Sequence, residues 1–341
     1  LNRRLIARFL PSPFTTGLLI AVGLASWLPP HGQTAQVVDV ATDVGIGLLF
    51  FLHGAKLSRE AVLAGITHWR LHLTVFASTF VLFPLLGLAL RPVAPFVLTP
   101  ELYLGVLFLC ALPSTVQSSI AFTSVARGNV PAAVCSATAS NLIGVFLTPL
   151  LVGLLLETNG EAGFSLRSIG PIVWQLLVPF VAGHLLRPWL GAFVQRHQAV
   201  LRVTDQGAIL LVVYAAFGKS VSAGLWRETP LSALAGTLFV SALLLLLVIG
   251  ATLFAARRLG FGTEDEIVIL FCGSKKTLAS GVPMAKVLFA GHAAGLGTIV
   301  LPLMVFHQIQ LMVCAVLAER YAARPTLAVE PGRGALIDSR Q

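Results

Sequence analysis

The chain has 341 residues, of which 56% are apolar and 11% charged, and its formal net charge is +9. Soluble domains carry about 25% charged residues, so this composition, with a mean hydropathy of +0.88, excludes a soluble globular protein. The basic residues are scattered over loops rather than gathered in one patch, which excludes a nucleic-acid footprint.

A helix needs about 20 apolar residues to cross the hydrocarbon of a bilayer. Ten spans are predicted: 14–28, 40–57, 71–90, 101–126, 131–156, 169–187, 205–223, 230–256, 265–290 and 295–318. The second opens on Asp43 and the seventh on Asp205, where an acidic residue would complement the start of a helix dipole or, as the functional reading, serve as a gate or proton site. His53, His68 and His72 lack a ligand spacing and read as interfacial. The fourth span is broken by Pro113 and the polar run Ser114-Thr115-Val116-Gln117-Ser118-Ser119, because proline removes a helical hydrogen bond. Ala126–Asn129 reads as the turn into the fifth span, with Arg127 as an anchor. The ninth span is broken by Gly273-Ser274-Lys275-Lys276-Thr277, and the tenth carries His307, Gln308 and Gln310 as candidate cavity-lining residues. Residues 322–341, with Pro325, Pro331, Gly332 and Gly334, read as a disordered tail. The four cysteines all lie in apolar segments without a CxxC pair and read as reduced, buried thiols.

Ten spans with the N-terminus inside place sixteen Lys and Arg residues in cytoplasmic segments and five outside, as the positive-inside rule requires. Both termini are then cytoplasmic. Thr-Asp-x-Gly-x-x-Leu-Leu occurs at Thr42 and again 162 residues later at Thr204, and the two broken spans fall at the same interval. This predicts two halves, 1–157 and 166–321, of five spans each. An odd number per half inverts the second, the plan of many secondary transporters, whose discontinuous helices bind substrates and ions near the midplane.

Lys275 and Lys276 sit in the second break, far from both ends of the span. A charged side chain at the bilayer centre costs about 2.5–3.5 kcal/mol on insertion scales, so the pair calls for compensating partners. No HExxH, GxSxG or P-loop motif is present, and no carboxylate pair lies in an apolar segment, so no enzyme and no cofactor is expected.

The stretches Leu-Pro-Ser-Thr-Val-Gln-Ser-Ser from Leu112 and Phe-Cys-Gly-Ser-Lys-Lys-Thr from Phe271 resemble the bile acid:sodium symporter superfamily. The nearer likeness is to its divergent branch of sodium-bile-acid-symporter-like proteins, which has bacterial members and includes the seventh member of solute carrier family 10. The resemblance implies an all-α fold of ten transmembrane helices in two inverted five-helix repeats. Helices 1, 2, 6 and 7 would form a panel and the rest a core, with helices 4 and 9 broken and crossing. It implies residence in a bacterial inner membrane, among lipid. The resemblance also makes Ser136 the counterpart of a sodium-ligating hydroxyl, with Asn141 nearby. Where the family has an acidic residue and neutral ligands on helix 9, this chain has Cys272, Lys275 and Lys276.

None of the fourteen acidic residues lies in either break, which makes sodium coupling doubtful and leaves proton coupling open. The expected function is secondary transport of an organic anion by alternating access, with a buried lysine in place of sodium. The ammonium would be held by the hydroxyls of Ser118, Ser119 and Ser136 and by free carbonyls. A membrane regulator that binds without transporting is the alternative.

Overall fold

The computed structural model describes residues 13–56, 68–157, 166–222, 224, 227, 230–289 and 295–324. The predicted tail beyond Arg324 and the linker between the two predicted halves lie outside the described residues. Twelve helices are used below: α1 (Pro13–Trp27), α2 (Gly32–Lys56), α3 (Trp69–Ala89), α4 (Pro100–Ala111), α5 (Gln117–Val125) and α6 (Val130–Glu157), then α7 (Leu166–Arg196), α8 (Gln198–Ser222), α9 (Leu231–Arg258), α10 (Thr263–Gly273), α11 (Leu278–Leu288) and α12 (Leu296–Ala322). No strand occurs among the described residues. Six of the helices, α2, α3, α6, α8, α9 and α12, are long and apolar enough to cross a membrane. Their outer faces carry exposed large side chains such as Phe239 and Leu246, as a lipid-facing surface requires.

The helices can be taken as two groups, in contact with each other through α6 on α7 and through α8 on α11 and α12. In the first, α2 packs on α7 and α8 packs on α1. The α2–α7 crossing is close because Gly54 and Gly183 face each other's backbone. A Cβ on Gly54 would lie 1.9 Å from the Phe180 carbonyl oxygen, and one on Gly183 would lie 1.9 Å from that of Phe51. Small residues permit such contact between membrane helices. The second group contains α3 to α6 and α9 to α12, around a core that includes Phe83, Phe108, Phe271 and Phe306.

Both predicted breaks are present. One helix is interrupted between α4 and α5 at Leu112–Val116, and another between α10 and α11 at Ser274–Thr277. The interruptions touch: Thr277 N–H donates to the Pro113 carbonyl at 3.0 Å, and Ser119 Oγ donates to the Phe271 carbonyl at 2.9 Å. α10 starts on Glu264, Asp265 and Glu266, three acids that suit the positive end of its dipole. They also tie that end to its neighbours. Asn129, in the expected turn beside Arg127, donates to Asp265, and Glu266 accepts from Arg257 and Tyr321.

Two sequence readings need correction. α2 and α8 begin at Gly32 and Gln198, well before Asp43 and Asp205. Neither aspartate is in a first turn, and the dipole role fails because it fades within one turn. Asp43 instead pairs with Lys286 at 2.8 Å, and Asp205 faces a cavity described below. His72 is buried rather than interfacial, with Nδ1 2.7 Å from Ser136 Oγ.

Gly54→Val forces a branched side chain against backbone, which overpacking costs of about 1–3 kcal/mol understate. The expected result is a large fall in the thermal midpoint of the purified protein, or no folded protein. Gly23→Ala, where nothing lies within 4 Å, should leave the midpoint unchanged in the same assay.

Candidate binding site at the helix crossing

A helix that stops inside a membrane leaves its last carbonyls without backbone donors, and water is not there to replace them. From Cys110 to Ser114 each carbonyl finds a side chain or the facing break. Thr148 Oγ1 donates to the Ala111 carbonyl at 2.9 Å, and Asn141 Nδ2 donates to that of Ser114 at 2.6 Å. The carbonyls of Cys110 and Leu112 go to one donor, Lys276 Nζ, at 2.9 and 2.6 Å.

The third ligand of that ammonium is made by an irregularity in α3. Residues Ser78–Leu82 form a π turn, in which Phe83 N–H bonds to Ser78 O rather than to Thr79 O. The next residue is Pro84, which has no N–H to offer. Thr79 O is thereby orphaned, and Lys276 Nζ takes it at 2.7 Å. The ring of Phe83 completes the shell, its centroid 4.0 Å from Nζ. Gln310 clamps the same residue by its backbone: Lys276 N–H donates to Oε1 and Nε2 donates to Lys276 O, both at 2.9 Å. Gln310 Nε2 also lies 2.9 Å from His307 Nδ1.

Lys275 points the other way, as adjacent positions would. Its Nζ donates to the Ser118 carbonyl at 3.0 Å and stands over the rings of Phe122 and Phe271, 4.0 and 5.2 Å from their centroids. Both lysines are fully buried. Among the described residues neither pairs with a carboxylate.

The expected ligands are therefore only partly the observed ones. The ammonium groups hold carbonyls, and the hydroxyls of Ser118, Ser119 and Ser136 are spent elsewhere. Ser118 and Ser119 bond to Thr115 at 2.8 and 3.0 Å, and Ser136 bonds to His72. Ser274 Oγ donates to Leu270 O within its own helix, and Ser114 N–H donates to Ser140. Asn141 braces the crossing from both sides, since Ser280 Oγ donates to its Oδ1 at 3.2 Å.

A cavity of about 720 Å³ separates the two helix groups beside this crossing. Thr115, Gln117, Ser118, Asn141, Thr277 and His307 line one wall, while Gln308 is outside its lining. Leu49, Phe50, His53, Phe180, Arg202 and Asp205 belong to the opposite wall. The first turns of α5 and α11 both face this space, and neither has a side-chain cap. At the other end of α2, Asp39 and Asp43 bind Lys286 of α11, and Asp39 also binds Lys219 of α8 at 2.7 Å. Gly297 N–H donates to Ser220 Oγ nearby, joining α12 to α8. The two groups are thus apart at the cavity and locked at the far end.

Residues 12–323 match the family described as the SBF-like CPA transporter family (DUF4137). The chain belongs to that family. The chain is similar to an uncharacterized protein of Pseudomonas aeruginosa, 66% identical over 93% of this chain and 95% of that one, and to "Putative symporter YfeH" of Escherichia coli K12, 56% identical over 91% and 92%. "Sodium/bile acid cotransporter 7" of Rattus norvegicus is 25% identical over 92% and 93%. The resemblance read from the two broken spans is thus established, and the chain is an integral membrane member of a transporter family rather than an enzyme.

Nothing in the sequence marks Thr79, Phe83, Phe122 or Gln310 as partners of the lysines. Gln310→Leu should strand both backbone groups of Lys276, at about 1–3 kcal/mol for each buried group left unpaired. A thermal-unfolding scan should register a clear drop, and Gln308→Leu, outside this network, should not.

Proposed function

We propose that this protein is a secondary transporter of an organic anion, working by alternating access, in which tethered ammonium groups take the place of a diffusible cation. The observation that carries this reading is the pair of uncapped half-helix N-termini facing a largely apolar cavity, backed by two buried lysines. Free N–H groups and the positive ends of two helix dipoles favour an anion. The apolar residues across the cavity would receive the rest of an amphipathic molecule.

A sodium ion needs hard oxygen ligands. Here the carbonyls of Thr79, Cys110 and Leu112 are already filled by Lys276. A second cation would meet Coulomb repulsion from it at short range. The names of the curated relatives include symporters, which supports a small-molecule substrate.

In this reading the two breaks belong to an inverted repeat of five plus five helices, with the chain ends cytoplasmic. The first group of helices is the panel and the second the core. Asp39 and His53 lie roughly 20 Å apart along α2 at 1.5 Å per residue. The cavity end bearing His53 and Arg202 then opens to the cytoplasm, and the Asp39–Asp43–Lys286 cluster closes the outer side. Opening outward requires Lys286 on the core to leave Asp43 on the panel.

Uptake into proteoliposomes tests this. A radiolabelled bile acid should accumulate in sodium-free medium, and saturable binding with no accumulation would contradict transport. Bridging Asp43→Cys to Lys286→Cys with a short bis-methanethiosulfonate reagent, which forms a disulfide at each thiol and releases sulfinate, should stop uptake, and a reductant that cleaves the disulfides should restore it. Full uptake by the bridged protein would contradict alternating access at this gap.

A further inference from the structure

The two lysines differ in how many acceptors surround them. An ammonium has three N–H donors, and a neutral amine has two with a lone pair. Lys276 Nζ faces three buried carbonyls at 2.6–2.9 Å. Only the charged form satisfies all three. Loss of a proton would turn a lone pair toward a carbonyl oxygen in a place that water does not reach. Ring faces favour charge at both lysines, Phe83 at Lys276 and Phe122 and Phe271 at Lys275, and so do not separate them; the carbonyl count does.

Lys275 is held differently. It has one carbonyl, that of Ser118, and two aromatic rings. A neutral amine can keep the hydrogen bond to Ser118, so proton loss strands no buried carbonyl. The titratable groups facing it are the thiols of Cys272 and Cys314 and the imidazole of His307, with the Lys276 ammonium next in the chain. Among the described residues no carboxylate is in that set to hold its proton. Ser118 itself lines the cavity, so the amine stands one residue behind the compartment that a substrate and its water would enter.

We propose that Lys275 is the proton-exchanging residue that couples transport, and that Lys276 remains charged throughout the cycle as a fixed cation. This rests on the transporter reading above. On the loading side the neutral amine of Lys275 takes a proton from cavity water as a monoanion binds. On the release side the ammonium returns that proton to water as the anion leaves. The loaded core then carries Lys276, protonated Lys275 and one negative substrate, a sum of one positive charge. The empty core carries Lys276 alone, again one positive charge. Both reorientations move the same charge, so the cycle is an electroneutral proton–anion symport.

The experiment uses the full-length protein labelled with ¹³Cε and ¹⁵Nζ lysine. There are five lysines, at positions 56, 219, 275, 276 and 286. A titration from about pH 5 to about pH 10, below the ordinary lysine value of about 10.4, reads each side chain as ammonium or amine. The signal lost in Lys275→Gln should convert from ammonium to amine within this range. The signal lost in Lys276→Gln should stay ammonium throughout. Should Lys276→Gln fail to fold, Lys276→Arg, which keeps the donors, identifies the second signal. Conversion of the Lys276 signal, or none at Lys275, would overturn the assignment. The titration needs no substrate, so its failure is distinct from a failure to accumulate an anion in proteoliposomes.

Discussion

One ammonium group organises the centre of this molecule. Lys276 Nζ gathers carbonyls from α3 and from the end of α4, while its own backbone is clamped to α12 by Gln310. Three helices that each end or buckle in the membrane are joined at a single atom. Each would otherwise expose polar backbone where nothing can satisfy it. The charge is affordable there because the C-terminal end of α4 presents negative partial charge, and because its three donors are all used. The break, the buckle and the lysine are one device, and none of the three would be tolerable alone.

The same arrangement bears on coupling. A diffusible cation enters and leaves its site once per cycle, so its gradient drives transport. A lysine cannot leave. On the proposed reading, coupling rests on a change in protonation or in substrate rather than in metal occupancy. The shape of the cavity is consistent with that division: its polar rim is built from half-helix N-termini and small hydroxyl side chains, while both lysine side chains stand behind the wall, buried in this conformation. They act on the site through the field and through the geometry of the backbone they hold. The ionic cluster of Asp39, Asp43, Lys219 and Lys286 is built differently. It lies at a seam between the two helix groups and is partly exposed, so it can form and break at modest cost.

The features most legible in the sequence were those that violate a composition rule. Two lysines in an apolar span, and a proline followed by serines in another, break the pattern of a plain membrane helix, and both marked the crossing. The spans themselves followed from hydropathy, though α2, α7 and α8 run well past the predicted ends, because amphipathic turns continue a helix beyond its apolar stretch. What the sequence hid depends on packing. Pro84 carries no signal of its own in the sequence, yet its missing N–H, with the π turn before it, frees the carbonyl that Lys276 takes. Gln310 was visible as a polar residue, but only the fold brings it opposite a backbone break. Ser136 was expected at an ion and instead meets His72, because a histidine three helical segments away cannot be placed from spacing. Asp43 was misread for a similar reason: its partner Lys286 lies 243 positions along the chain.

Because the account turns on a fixed ammonium filling the place of a free cation, the most direct measurement is the thermal stability of the purified protein in sodium chloride against choline chloride at matched ionic strength. A ligand that binds only the native state raises the midpoint with concentration, by about 2.7 kcal/mol of stability at one hundred times its dissociation constant. The account predicts that sodium and choline give the same midpoint at every concentration. A saturable rise specific to sodium would contradict it, since the ion would then have a site that the lysines leave open.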